Sequence, residues 1–256
     1  MKKYIINNNE FIFNGEAKGS QPRYTLNGKR LTGVTTALGV LNKPALLGWA
    51  AREAYSDCIG KDEAYIKTCI KDKNYAHTRK SDKAKEIGTD THAIFETWVV
   101  SKINNTTYDG IKIPATEEAM AWTERENIKW LATEQSVVSS KYWYAGTFDA
   151  LVEIDGEMWV VDLKTSSGIY GNEYWLQCSA YMNAIEEMKP ENNIVGSIIF
   201  RVGKEAKKDG SNDVQIVKKR KDTRDFKSFL ACLVIHREGE MQSWSNDEAL
   251  ITPASV

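Results

Sequence analysis

Asp149, Asp162 and Lys164 fall within one apolar stretch, "GTFDALVEIDGEMWVVDLKTS" (residues 146–166), where nothing about burying a β-hairpin calls for charge. Two carboxylates and an ammonium gathered together suit metal-assisted hydrolysis. Carboxylate oxygens hold hard divalent cations, and such cations activate water and neutralise charge on a phosphate. Asp155-Gly156 is the signal of a two-residue type I′ turn. That turn pairs Ile154 with Glu157, and in the same register Val152 with Trp159, Ala150 with Val161 and Phe148 with Leu163, the last three pairs giving one continuous apolar face. The opposite face then sets Asp149 against Asp162 and Thr147 against Lys164. Like charges opposed across a ladder destabilise it, so a cation between them is expected. The plainer reading is a half-exposed antiparallel sheet whose polar face meets water.

The elements that must position these residues can be read from the flanking pattern. "YIINNNEFIF" and "RYTLNGKRL" read as hairpins, the second centred on Asn27-Gly28. A helix is expected from Pro44 through Tyr55, others over 81–100 and 116–135, then the hairpin, a helix over 172–188 and a strand over 193–202. The stretch 204–213 reads as an exposed turn or mobile loop, and 225–241 as a last helix. Helices before and after a central sheet indicate an α/β or α+β fold. Thr35 and Thr36 are expected in a strand.

The 256 residues are 42% hydrophobic and 27% charged, an ordinary globular composition. A formal net charge of −1 excludes a protein that coats nucleic acid by bulk attraction. Basic residues nevertheless cluster, seven against two acidic over 67–85 and ten against five over 201–227. These segments are either solvated faces or surfaces that track phosphates. The four cysteines form no C-x-x-C pair, so thiols are expected rather than a zinc or iron–sulfur centre. No apolar run reaches membrane-spanning length and "MKKYIINNNE" lacks a signal-peptide core, so a cytoplasmic protein with no membrane partner is expected.

The order Gly88-x-x-x-His92, Gly146-x-x-Asp149, Asp162-Leu163-Lys164 and Gln177-x-x-x-Tyr181 resembles the RecB-like branch of the PD-(D/E)xK nucleases. Stand-alone phage exonucleases and the mitochondrial genome maintenance exonuclease are the nearest members. "LTGVTTALGVLNKPALLGWAA" is similar, more faintly, to their N-terminal segment. The resemblance implies a restriction-endonuclease-like core, a central mixed sheet flanked by helices, preceded by N-terminal hairpins and helices. It implies one nuclease domain over 1–256, with 1–80 lining the substrate path, 81–200 as catalytic core and 201–256 as basic loop and C-terminal helix.

The same resemblance implies the roles. Asp149 and Asp162 ligate one or two Mg²⁺ or Mn²⁺ ions, with the backbone carbonyl of Leu163, with His92, and with Glu134 as a further candidate. Lys164 touches the scissile phosphate and the attacking water; a cation and an apolar wall beside a lysine can lower its pKa enough to assist proton transfer, so it is either a general base or an electrostatic clamp. Gln177 and Tyr181 position the nucleic-acid backbone or the lysine, and Thr35, Thr36 and Thr165 contact nucleic acid. No iron–sulfur cluster and no nucleotide are expected. The implied activity is an exodeoxyribonuclease working from DNA ends, accommodating single strands, in recombination, repair or replication in a bacterial or phage-infected cell, with a recombination or single-strand-annealing protein as partner. The alternatives are a structure-specific or restriction-type endonuclease and a non-catalytic DNA-binding recombination subunit. Several residues carry plainer readings: His92 as a hydrogen-bonded core histidine on the stripe with Phe95 and Val99, Glu134 as a surface residue at a helix end, Glu96 as solvent-facing, and Trp49, Trp143 and Trp175 as packing rather than base-stacking residues.

Overall fold

The computed structural model describes residues 1–6, 8–203 and 206–243. Asn7, in the first expected turn, and Lys204 and Glu205, in the expected loop, lie outside them. The chain divides into two compact units, Asn42–Ala93 and the remainder.

In the larger unit, β1 (Lys2–Ile6), β2 (Asn9–Phe13), β3 (Tyr24–Leu26) and β4 (Lys29–Arg30) form an antiparallel sheet in that order. Asn27 and Gly28 both take positive φ, 50° and 75°, as the type I′ turn between β3 and β4 requires. Rings of Tyr4, Phe11, Phe13 and Tyr24 stack across the sheet. The chain then forms β5 (Thr32–Gly33) and one helical turn, α1 (Val34–Ala37). Thr35 and Thr36 therefore sit exposed on a helix rather than in a strand. Val34 and Ala37, three apart, are the residues of this turn that reach the core.

In the smaller unit, α2 (Pro44–Cys58) starts on proline and α3 (Glu63–Lys71) on an Asp62 cap that accepts from the Tyr65 amide at 2.8 Å. Asp57 accepts from Arg79 at 2.8 Å and from the Tyr65 hydroxyl at 3.2 Å, linking the three helices of this unit. The third, α4 (Ala76–Ile103), continues along the chain into the larger unit.

There follow α5 (Pro114–Glu126), β6 (Lys129–Ser139), β7 (Tyr144–Ile154), β8 (Glu157–Lys164), α6 (Glu173–Met188), β9 (Ile194–Val202), β10 (Val214–Arg220) and α7 (Thr223–Ser243). The helix expected over 116–135 thus ends early. Asn127 adopts the left-handed conformation (φ 48°) that stops a helix, and residues 129–135 are strand. β10 was not anticipated either, because its Lys218, Lys219 and Arg220 hide the strand pattern. Each has an acidic partner, Glu126, Asp225 and Glu157 respectively.

The main sheet is mixed, in the order β10-β9-β8-β7-β5, with β6 on the other edge of β7. One face, through Phe148, Leu151 and Val160, packs on Val34 of α1, Leu176 and Ala180 of α6 and Phe229 of α7. The other packs on Phe95, Trp98 and Val99 of α4 and on Ala115, Ala119 and Trp122 of α5. Helices therefore cover both faces of a central mixed sheet in an α+β architecture. No helix among the described residues is long and apolar enough to cross a membrane.

The expected hairpin register holds from Ile154↔Glu157 to Ala150↔Val161, around a turn with Asp155 at φ 52° and Gly156 at φ 78°. It then stops. Beyond Val161, β8 pairs only with β9, while β5 takes up the vacated edge of β7 at Tyr144 and Ala145. Between them, from Gly146 to Asp149, the edge of β7 lies open in a fork. The pleat also reverses there. Phe148 lies in one core and Ala150 in the other, although alternate residues of a regular strand share a face. The single apolar face expected for Phe148, Ala150 and Val152 is corrected accordingly.

Gly196 sets the approach of β9 to its neighbours. A Cβ there would meet the Lys219 carbonyl and lie 2.6 Å from the Trp159 ring and 3.0 Å from the Arg220 Cα. Backbone at two of these points cannot give way. Gly196→Ala is expected to destabilise the protein by about 1–3 kcal/mol, read as a lower urea midpoint at unchanged m.

Candidate metal and active site

Where the ladder fails, a side chain replaces it. Asp149 Oδ2 accepts the Leu163 amide at 2.6 Å, in the place a backbone carbonyl of β7 would occupy. In a strand the N–H and C=O of one residue face the same edge, so the Leu163 carbonyl is also turned toward the fork. The Asp149 carbonyl accepts from Thr133 Oγ1 at 2.8 Å. Across β6, pairing passes from Thr133↔Ala150 to Gln135↔Phe148, skipping Glu134. Glu134 has φ +45°, a strained conformation for this residue type. It is a strand residue at a break in the pleat, not the helix-end glutamate of the plainer reading.

Glu134 and Asp149 each offer a carboxylate oxygen, within 4.8 Å of each other. His92 lies on α4 in the smaller unit, one turn before Phe95 and Glu96 along the helix. Two carboxylates form a hard, anionic set that suits Mg²⁺ or Mn²⁺ better than a thiophilic ion. Glu96 lies close by and half-buried. Its carboxyl is pushed up by burial first and then by the charge of Glu134, with Lys2 opposing.

Asp162, 1% exposed, stands apart from that pair of carboxylates. It pairs with Lys164 Nζ at 2.6 Å through Oδ2 and accepts from Gln177 Nε2 at 3.1 Å through Oδ1. Gln177 also accepts from Lys164 Nζ at 3.4 Å and donates to the Tyr181 hydroxyl at 3.0 Å. Residues 177 and 181 share one face of α6, as their spacing requires. The Lys164 ammonium lies 4.9 Å from the centre of the Tyr174 ring. Gly146 makes room for Tyr181, since a Cβ there would lie 2.5 Å from the ring.

The electrostatics follow from this arrangement. Burial draws the Lys164 ammonium down, but the charges of Asp162 and then Asp149 outweigh it and hold the group above the ordinary lysine value. The lowered pKa is expected of Lys164 beside a bound cation; with the charge of the two carboxylates uncompensated, the lysine is held in its charged form. The Tyr181 hydroxyl is pushed well up by burial and then by Asp162 and Asp149, so it remains protonated.

Other expected residues lie outside these contacts. Thr165 follows β8, half-buried. Trp143 donates through Nε1 to the Arg30 carbonyl at 2.9 Å, Trp175 lies under Lys219, and Trp49 meets His77 edge-on. All four cysteines are free, and Cys178 is buried beneath the Asp162–Lys164 pair with its thiol pushed far up, by burial first. Sequence reasoning passed over Thr133 and the buried Arg201, neither of which belongs to a recognisable spacing, and read Tyr174 only as part of the packing stripe with Cys178, Tyr181 and Ile185.

No protein-family model and no curated protein matches the chain. Among solved structures it is similar to the crystal structure of SSO0001, at 14% identity over 50% of this chain and 56% of that one, TM-score 0.30. It is also similar to the alkaline exonuclease LHK-Exo from Laribacter hongkongensis, at 10% identity over 61% of this chain and 82% of that one, TM-score 0.35. The complex of LHK-Exo with dAMP gives 11%, 59%, 81% and 0.34. The chain thus spans just over half the length of SSO0001. Likeness this distant leaves the functional reading to the residues of the site.

Glu96 provides a check on the crowding of carboxylates. Because its folded pKa is raised, the native state holds its proton more tightly, and stability falls as pH rises from about 4.5 through the folded value. Glu96→Gln is expected to stabilise the metal-free protein at neutral pH. The gain should vanish below the ordinary carboxylate range, read from urea midpoints measured in EDTA between pH 4 and 8 (roughly the span over which carboxylates titrate).

Proposed function

We propose that the protein is a metal-dependent deoxyribonuclease that hydrolyses phosphodiester bonds as an exonuclease working from DNA ends. The observation that carries the reading is the convergence on one strand fork of the Asp149 carboxylate, the Leu163 backbone and the Asp162–Lys164–Gln177 network.

His92, Glu134 and Asp149 would hold one or two Mg²⁺ or Mn²⁺ ions, with the Leu163 carbonyl and Asp162 completing the set from β8. The bound metal supplies an activated water and neutralises charge on the phosphate. Lys164, kept protonated by Asp162 and Asp149, presents a fixed positive charge to the scissile phosphate, an electrostatic clamp rather than a base. Gln177 orients that ammonium from one side and Asp162 from the other, so Lys164 needs no reorganisation when charge develops. Tyr181, protonated, fixes Gln177 in turn. Thr35, Thr36 and Thr165 are hydroxyl contacts for the nucleic-acid backbone. A cytoplasmic role in DNA recombination, repair or replication, beside a recombination partner protein, suits an enzyme that acts at ends.

The test is digestion of DNA labelled at either end, single- and double-stranded, in Mg²⁺ or Mn²⁺, beside closed circular DNA. Linear DNA should be consumed from an end and circles left intact. Asp149→Asn and Lys164→Met should each lower kcat about 10²–10³-fold. Cleaved circles would replace the exonuclease with an endonuclease, and intact DNA of every form would overturn the nuclease reading.

A further inference from the structure

Beyond Val161, the end of β8 depends on β9 alone, with Asp162 beside Ile199, Leu163 beside Phe200 and Lys164 beside Arg201. Arg201 is 1% exposed. Its guanidinium grips Asp213 bidentately, Nη1 to Oδ2 and Nη2 to Oδ1, both at 2.6 Å. Nη1 also donates to the Ser166 carbonyl at 3.3 Å, two residues beyond Lys164. Asp213 stands where the chain returns toward β10, and its own carbonyl accepts the Gly203 amide at 2.7 Å. A Cβ on Gly203 would lie 2.8 Å from Asp213 Oδ2 and 3.3 Å from Arg201 Nη1, so the glycine leaves room for the pair. Hydrogen bonding to Arg201 holds the Asp213 carboxyl below its usual range.

Stability alone does not call for an ion here. The neighbouring residues of β9, Ile198, Ile199, Phe200 and Val202, are apolar and buried. Burying a guanidinium costs several kcal/mol of desolvation, and apolar residues of similar volume often serve as well or better. The Arg201 Nε is buried with no hydrogen-bond partner, a further cost. What a bidentate guanidinium provides, and an alkyl side chain does not, is direction. Its direction here is fixed by Asp213 and delivered to Ser166, at the start of the segment leading to α6 and Gln177.

We propose that the Arg201–Asp213 pair is the positioning device for Lys164, locking the unsupported end of β8 so that the ammonium stays between Asp162 and Gln177. Arg201 and Asp213 are positioning residues in this role, which rests on the nuclease reading above. They act through the backbone at Ser166 and not on the phosphate.

Asp213→Asn keeps an oxygen for one of the Arg201 bonds but removes the countercharge of the 2%-exposed guanidinium, so its melting temperature is expected to fall and is measured beside kcat, on protein shown to be folded. In Asp213→Asn, kcat on linear DNA should fall about 10–100-fold with KM and Mn²⁺ affinity essentially unchanged. Amide exchange should quicken over 165–168 and stay unchanged over 151–154. Asp213→Glu should restore most of kcat. A variant with a lower melting temperature but parental kcat would reduce the pair to a structural role and overturn the proposal, leaving the nuclease reading intact. Unchanged exchange over 165–168 would overturn it equally. A parent protein that hydrolyses no DNA would overturn both.

Discussion

The bond from the Leu163 amide to Asp149 Oδ2 ends one strand ladder and opens the site in a single contact. Continued pairing would bring Asp149 directly against Asp162 across the hairpin, which the repulsion of like charges resists. The chain resolves this by withdrawing β8 from β7. Asp149 turns into the opened edge and satisfies the amide that lost its partner, and Asp162 stays buried against Lys164. Once the strands part, the Leu163 carbonyl faces the fork, the edge of β7 is open from Gly146 to Asp149, and Tyr181 can lie over Gly146.

The two aspartates have different surroundings. Asp149 lies beside Glu134, at the point where both β6 and β7 break their pleat. Asp162 is buried against Lys164, whose charge it sustains against burial. Such an arrangement keeps a cation aimed at one place without relying on solvent, at the cost of two ions held in the protein interior. The buried Arg201 extends the same pattern one strand further from the fork.

Much of this was legible in the sequence because it rests on local signals. Asp155-Gly156 fixed the turn, and the turn fixed the register as far as Ala150↔Val161. Gln177 and Tyr181 were placed on one helical face by spacing alone. What was not legible depends on non-local pairing. The departure of β8 requires β9 to hold it on one side and β5 to occupy the vacated edge, and two-residue β5 carries no strand signature. "KWLATEQ" read as helix because Leu, Ala and Glu favour helices, until Asn127 stopped the preceding one and pairing with β7 decided the rest. The sequence already sets both aspartates on the face of Lys164; the distance that lets their charge outweigh burial, 2.6 Å to Asp162, comes only from the fold.

The central claim is that Asp149, turned into the fork, and Glu134, at the break in β6, hold a dication together. Calorimetric titration of Mn²⁺ into the metal-free protein, compared with Asp149→Asn and Glu134→Gln, tests it directly. The account predicts binding by the parent that weakens about tenfold or more in each variant. Parental Mn²⁺ affinity in both variants would contradict it.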